Sequence, residues 1–559
     1  MSQPSTIPQI TPLPSRQVFI VICVQICESM NINVLFPFLA FMVEDFGYTG
    51  HKIGYYAGIL AASFCAAQLT SSYLWGWFSD THGRKPALFF GTFGAGCGML
   101  LFGLAPTFEV AVLGRCVSGL LSGNLGVLKS FLSEITDGSN RGKGFSYLNV
   151  AWSVGSILGP LLGGFLCYPV EKYPRVFNYL SFARPLFSKR PFLLPCLLCV
   201  CGNVFTSACI ALLMAETRQQ TGEQKSRGVY SQVNVEEDEE DGDDTEAEGE
   251  RSIQLTALRT TASVSTASVS LSSSSTSSSS EAWPPRVISG SSKSVEKSIH
   301  TENSTNFYDD TVILCVLLYG LLAFGDITGN ETLPLFSKLD NEQGGLSLNS
   351  SEIGFALAFG GFAGLAFSLF ALPLMIGGGK SKLLVFRRYT LLNVFLIILF
   401  PLLGYVLSHL LQQADHTDTD TDTDTDTDTD TGGLSDRTNH HLVIGLFILI
   451  HICRTMASIL CFTVVIIFVN HSVIDAHLGK VNGLGQMAAA TARSVGPAFG
   501  GVLWSQSLKH HFIFTNFVLV SVIMLVCSCL SSRLPVSIES KKEEREERVA
   551  KEVKAEAVI

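Results

Sequence analysis

Gly76-Trp77-Phe78-Ser79-Asp80-Thr81-His82-Gly83-Arg84-Lys85-Pro86 is a short polar stretch between two long apolar ones, near 54–75 and 87–106. Its residue types suit a tight loop at a membrane surface. Gly76 lets a helix end tightly, Asp80 caps the next helix or pairs with Arg84, and Gly83 permits a sharp turn. Arg84 and Lys85 hold the loop at the cytoplasmic surface. The stretch therefore reads as a loop joining two membrane-crossing helices.

The arrangement recurs. Apolar runs of about 20 residues, the length a bilayer requires, lie near 17–43, 54–75, 87–106, 109–132, 145–168 and 191–214. A second set lies near 311–333, 352–376, 389–410, 442–469, 482–505 and 512–531. Six runs, a gap and six more predict an all-α integral membrane protein of twelve transmembrane helices in two six-helix halves. Composition agrees: the chain is 47% hydrophobic and 15% charged, where a soluble protein carries about 25% charged residues. The net charge of −10 arises from eleven acids between Glu236 and Glu250 and seven in the Thr-Asp run Thr417–Asp430; without those 18 the remainder is +8. A mildly basic remainder suits inner loops that meet anionic lipid.

The organisation that follows is an N-terminal tail over 1–16, a six-helix half over 17–215, a linker over 216–310, a second half over 311–531 and a charged tail over 532–559. The linker's acidic block and Ser/Thr-rich stretch cannot bury a core, so it reads as disordered. The second half carries a low-complexity Thr-Asp loop over 412–440, read as a solvated spacer. The tail over 1–16 is polar and Pro-rich, and the run after it is too long for a signal h-region, so the first helix is expected to serve as targeting signal. With the loop holding Lys172, Arg175, Arg184, Lys189 and Arg190 set aside, Lys and Arg divide nine to four between the faces. That split favours cytoplasmic N and C termini. Asn349-Ser350-Ser351 is then a sequon on the opposite side, while Asn330-Glu331-Thr332 lies too near the membrane to serve as one.

The two halves repeat one another. Gly155, Gly159-Pro160 and Gly163-Gly164 in the fifth run, and Gly496-Pro497 and Gly500-Gly501 in the eleventh, share Gly-Pro-x-x-Gly-Gly at matching places. Glu28 precedes Pro37-Phe38-Leu39 at nearly the interval by which Asp326 precedes Pro334-Leu335-Phe336. Small residues let helices approach closely and proline kinks them, which suits two halves that rock about a site between them. Cys196 and Cys199 have CxxC spacing but no partner ligands, so they read as packing residues; no metal or cofactor is expected.

The loop Gly76–Pro86 resembles the hallmark G-x-x-x-D-x-x-G-R-K motif of the major facilitator superfamily, all five defining positions being present. That resemblance implies a conformational latch formed by Gly76, Asp80, Gly83, Arg84 and Lys85, holding one conformation and breaking in the other. Arg115 with Gly119 and Gly123 is similar to the family's fourth-helix arginine motif, and Gly155 to Gly164 to the proton-coupled antiporter signature. Ile53-Gly54-Tyr55-Tyr56-Ala57-Gly58, Glu171-Lys172-Tyr173-Pro174, Arg190–Leu197 and Ala215-Glu216-Thr217-Arg218 look like the zinc-induced facilitator-like transporters and their drug:proton antiporter relatives. Gly377-Gly378-Gly379-Lys380-Ser381-Lys382 keeps only glycines and charge, so a second latch is not supported.

Charged residues within hydrocarbon are costly and face the interior to do work. Glu28, Asp326 and Arg115 are the candidates for proton coupling, the alternative for each being a buried structural pair. Asn31, Asn33, Asn149, Asn203, Arg454 and Arg493 are candidates for the substrate cavity or for cross-links between helices. No P-loop, nucleophile elbow or metalloprotease motif occurs, so neither ATP-driven transport nor enzymatic activity is supported. The expectation is a monomeric secondary transporter in the plasma or vacuolar membrane. It exchanges protons for a small molecule or ion, touches lipid and binds no nucleic acid. A uniporter or symporter, and a non-transporting receptor on the same fold, are the alternatives.

Overall fold

A computed structural model describes residues 11–137, 140–217, 310–377, 381–418, 431–473, 478–535 and 538. Most of the N-terminal tail, nearly all of the linker and Thr-Asp run, 378–380 and most of the C-terminal tail lie outside the described residues.

The first half comprises α1 (Ser15–Asn33, resuming as Leu39–Asp45), α2 (Lys52–His82), α3 (Arg84–Gly103), α4 (Phe108–Leu121 with Asn124–Glu134), α5 (Arg141–Leu166) and α6 (Leu193–Leu213). The second comprises α7 (Asp310–Lys338), α8 (Ser350–Ala366, extended by Phe367–Ala371 and Leu372–Gly377), α9 (Lys382–Asp418), α10 (Thr431–His471), α11 (Leu478–Lys509) and α12 (Thr515–Ser531). Among the described residues nine helices are long and apolar enough to cross a membrane, and α1, α11 and α12 complete the twelve crossings.

The duplicated prolines act differently. Pro37 lies in the turn that interrupts α1 at Val34–Phe38, whereas α7 continues through Pro334, α5 through Pro160 and α11 through Pro497. A proline withholds one donor and crowds the carbonyl four residues back, so α1 yields where its mate α7 does not. Gly76 also differs from expectation. It lies inside α2, which runs on to His82, and open space surrounds it. The helix ends instead at Gly83, whose φ of +105° belongs to the region glycine favours.

The proximal face is defined here as the one where α1 begins and α2 ends, the distal face as the one where α1 ends and α2 begins. Contacts that join the halves lie toward the distal face. A Cβ on Gly58 would stand 2.5 Å from the Pro497 carbonyl oxygen, and one on Gly354 would stand 2.5 Å from that of Pro160. The contacts are mates under the internal repeat: α2 meets α11 as α8 meets α5. Lys338 on α7 pairs with Glu44 on α1 and lies 4.8 Å over the Phe41 ring. Lys172 donates to Ser350 Oγ at 2.9 Å and Ser351 Oγ at 2.8 Å, and Cys167 Sγ donates to Ser350 Oγ at 3.0 Å. Asn349 is exposed and caps α8, its Oδ1 accepting from the Ser351 and Glu352 N–H groups at 3.0 Å each.

Candidate functional site

The Gly-Pro-x-x-Gly-Gly segments divide their work by residue. Gly155, Gly159 and Gly163 press α5 onto α1: their Cβ atoms would meet Ser29 Cβ at 2.5 Å and Asn33 Cβ at 3.0 Å and would run into the Val34 carbonyl oxygen. Gly496 and Gly500 do the same for α11 on α7, against Ile327 at 2.5 Å and Thr328 at 3.0 Å. The last glycine of each segment crosses between halves: Gly164 would meet Gly354 Cα, and Gly501 would meet Gly58 Cα, each at 2.8 Å.

The loop expected to act as a latch finds its partners within the first half. Arg84 donates to Asp80 Oδ1 at 2.6 Å, to Ser79 Oγ at 2.7 Å and to Glu134 Oε1 through Nε and Nη2 at 2.9 and 2.8 Å. Asp80 therefore pairs with Arg84, and the capping of α3 falls to another residue. Glu216, placed in the linker by sequence, accepts the backbone N–H of Arg84 at 2.9 Å and that of Lys85 at 3.0 Å. A Cβ on Gly83 would stand 2.5 Å from that carboxylate, so the glycine is needed for space as well as for φ. The stretch Ala215-Glu216-Thr217-Arg218 carried the only sequence signal for this partner.

Buried charge sits in each half. Glu28 is 2% exposed and accepts from Gln68 Nε2 at 2.8 Å, Ser122 Oγ at 2.6 Å and Asn124 Nδ2 at 3.4 Å. Two of these donors come from the break in α4 at Ser122-Gly123, where the Trp75 ring occupies the space a side chain on Gly123 would fill. Arg115, 1% exposed, donates to the carbonyls of Asn31 at 3.2 Å and Leu60 at 3.5 Å, with the Phe64 ring 4.6 Å away. It forms no ion pair with Glu28 or Asp326 among the described residues.

In the second half Asp326 accepts from Arg454 Nη1 at 3.5 Å, Ser458 Oγ at 2.6 Å and Asn330 Nδ2 at 3.1 Å, and Arg454 also donates to Asn330 Oδ1. Asn330 is thus held in a network that joins α7 to α10. His451 Nδ1 and Arg454 Nε are buried without a hydrogen-bond partner among the described residues. A third acid, Glu331, was not singled out by sequence, where it was read only as the middle of a sequon. It is 6% exposed on α7. Cys65 on α2 lies within electrostatic reach of Arg115, Arg493, Glu331 and Glu28, so four other helices direct charge toward one place.

The amides make links within and between helices. Asn31 and Asn203 exchange hydrogen bonds at 3.3 and 3.0 Å, tying α1 to α6. Asn33 donates to the Ser29 carbonyl at 2.7 Å and to Ser156 Oγ at 3.4 Å. Amides spent on helix cross-links have less left for a solute. Asn149 is exposed on α5, its carbonyl accepting from Ser153 at 3.0 Å. Arg493 on α11 is partly buried. A cavity of about 370 Å³ lined by Asp45, Tyr168, Glu171, Lys189 and Arg190 lies at the distal face, apart from these charges.

Known proteins place this architecture. The chain is 28% identical to the major facilitator superfamily multidrug transporter mfsB of Aspergillus fumigatus, covering 89% of this chain and 79% of that one. It is 27% identical to the protein ZINC INDUCED FACILITATOR 1 of Arabidopsis thaliana, covering 88% and 85%. Among solved structures it superposes on a D-xylose-proton symporter with a TM-score of 0.59 at 12% identity, covering 94% of this chain and 98% of that one. The Major Facilitator Superfamily model matches residues 21–415, and the chain belongs to that family of membrane transporters.

Proposed function

We propose that this transporter works by alternating access, exchanging protons for a small solute that it exports, and that the structure is its distally closed, proximally open conformation. The observation that carries the reading is the placement of the contacts between halves. The glycine approaches, the Lys338–Glu44 pair and the Lys172 hydrogen bonds all gather at the distal face. A carrier must break such contacts at one face while making others at the opposite face. The latch loop supports the same reading, since Arg84 and the start of α3 take Asp80, Glu134 and Glu216 of the first half as partners.

Proton coupling is supported by the acids inside both halves, the buried Glu28 on α1 and Glu331 on α7 and the half-buried Asp326 on α7, because ionisable groups within a membrane mark ion pathways. Export fits the multidrug transporter named among the relatives. We place the protein as a monomer in the plasma or vacuolar membrane, with the proximal face toward the cytoplasm.

The test is proton movement in sealed liposomes containing the purified chain, on adding a panel of small organic solutes. Solute-driven proton movement against the solute supports antiport. Solute flux without protons replaces antiport by facilitated transport, and binding without flux points to a receptor.

A further inference from the structure

Three carboxyls lie inside the two halves, Glu28 and Glu331 buried and Asp326 half-buried, and their surroundings are unequal. Glu28 has three donors and Asp326 has three. Glu331, 94% buried by its 6% exposure, has no hydrogen-bond or ion-pair partner among the described residues. A nearly buried carboxylate without donors pays a desolvation cost, which a proton or a cation brought to it removes. An acid ringed by donors is held in one state, whereas an acid without them exchanges.

The charge opposite it has a matching shortage. Arg115 is buried in the other half and donates to two backbone carbonyls and no carboxylate. Its charge acts on Glu331, and both groups act on the Cys65 thiol between them on α2. Of the other charged groups on the surrounding helices, all but Arg493 are committed elsewhere or carry no full charge. From α10, Arg454 is tied to Asp326 and Asn330, with His451 beside it. From α12, Asn516 donates to Thr332 at 3.1 Å. From α1, Glu44 is held by Lys338 of α7, and Glu28 is held by its own donors. From α2 comes the Cys65 thiol, and from α11 Arg493, which acts on Cys65. From α8, Glu352 is engaged by His440.

We propose that Glu331 is the carboxyl that takes up and releases the coupled proton, with Arg115 of the opposite half as the counter-charge that drives its release. When the halves bring Arg115 onto Glu331, the carboxyl O–H bond breaks and the proton passes to solvent water. The carboxylate left behind pairs with the guanidinium. When the halves part, water returns a proton to the carboxylate and the pair dissolves. Glu28 and Asp326 are positioning residues that hold α1 to α4 and α7 to α10. This inference rests on the antiport reading and narrows its proton site.

The test uses the full chain in lipid, with the proton itself as probe. Infrared difference spectra between acid and alkaline buffer follow the C=O stretch of a protonated carboxyl. The expected result is a titrating band in wild type that is absent in Glu331→Gln and kept in Glu28→Gln and in Asp326→Asn. Glu331→Asp restores a band, and Arg115→Gln moves the pH at which it appears while Arg115→Lys does so less. A band that survives in Glu331→Gln and vanishes in Glu28→Gln overturns the assignment. Solute-driven proton flux that persists in Glu331→Gln also overturns it, while leaving the antiport reading intact. Wild type that moves solute without protons but shows the Glu331 band removes the antiport reading and leaves the exchanging carboxyl in place.

Discussion

Arg454 shows how much one side chain holds in the second half. It donates to Asp326 and Asn330 from a site 3% exposed. Removing one partner of a buried pair leaves the other uncompensated and costs about 3–5 kcal/mol. Arg454→Ala should therefore lower the melting temperature of the detergent-solubilised protein sharply, and Arg454→Leu with Asp326→Asn should recover most of the loss. Equal melting of single and double variants would contradict that pairing. Glu216 makes a second case. Its carboxylate caps two N–H groups at the start of α3, so Glu216→Ala should cost about 1 kcal/mol, read as earlier proteolysis of the loop after His82. Glu28, Asp326 and Arg115 were legible in the sequence because a charge inside an apolar run stands out. Glu331 was hidden because Asn330-Glu331-Thr332 reads as a modification signal, and its lack of donors depends on helices far away in sequence. Glu216 was hidden by its place at the edge of a polar tract.

Among the elements, α5 and α11 carry the repeat in its most legible form, since close helix packing needs small residues at fixed spacing. The sequence did not separate the glycines that press α5 onto α1 from Gly164, which presses it onto α8, because both demand only a missing side chain. Nor did it distinguish the interrupted α1 from the continuous α7, both of which contain a proline. A side chain at the crossing should force the distal face apart. Gly354→Val, whose Cβ would meet Pro160 O at 2.5 Å, should disfavour the closed distal face by about 1–3 kcal/mol. The check is labelling of a cysteine placed at Ser351: faster modification in the valine variant is expected, and an unchanged rate would mean the crossing tolerates a side chain. Lys338→Gln should act in the same direction by removing the pair with Glu44, with a smaller effect because that pair is partly exposed.

For the whole molecule, the placement of the contacts between halves is what supports the proposal of a carrier held in one state. The count of twelve crossings, their division into halves and the latch loop were all visible in hydropathy and motif spacing. Which face is closed was not, because it depends on contacts such as Lys172 with Ser350 and Ser351, about 180 positions apart, for which no local pattern exists. The most direct test is a pair of spin-label distances in liposomes. One pair joins His51 and Lys509 at the distal face, the other Thr81 and Lys480 at the proximal face. The account predicts two populations in which a short distal distance accompanies a long proximal one and the reverse, with pH changing their proportions. A single distance distribution at each face, unchanged by pH and by every solute that the liposome assay shows to move, would contradict alternating access.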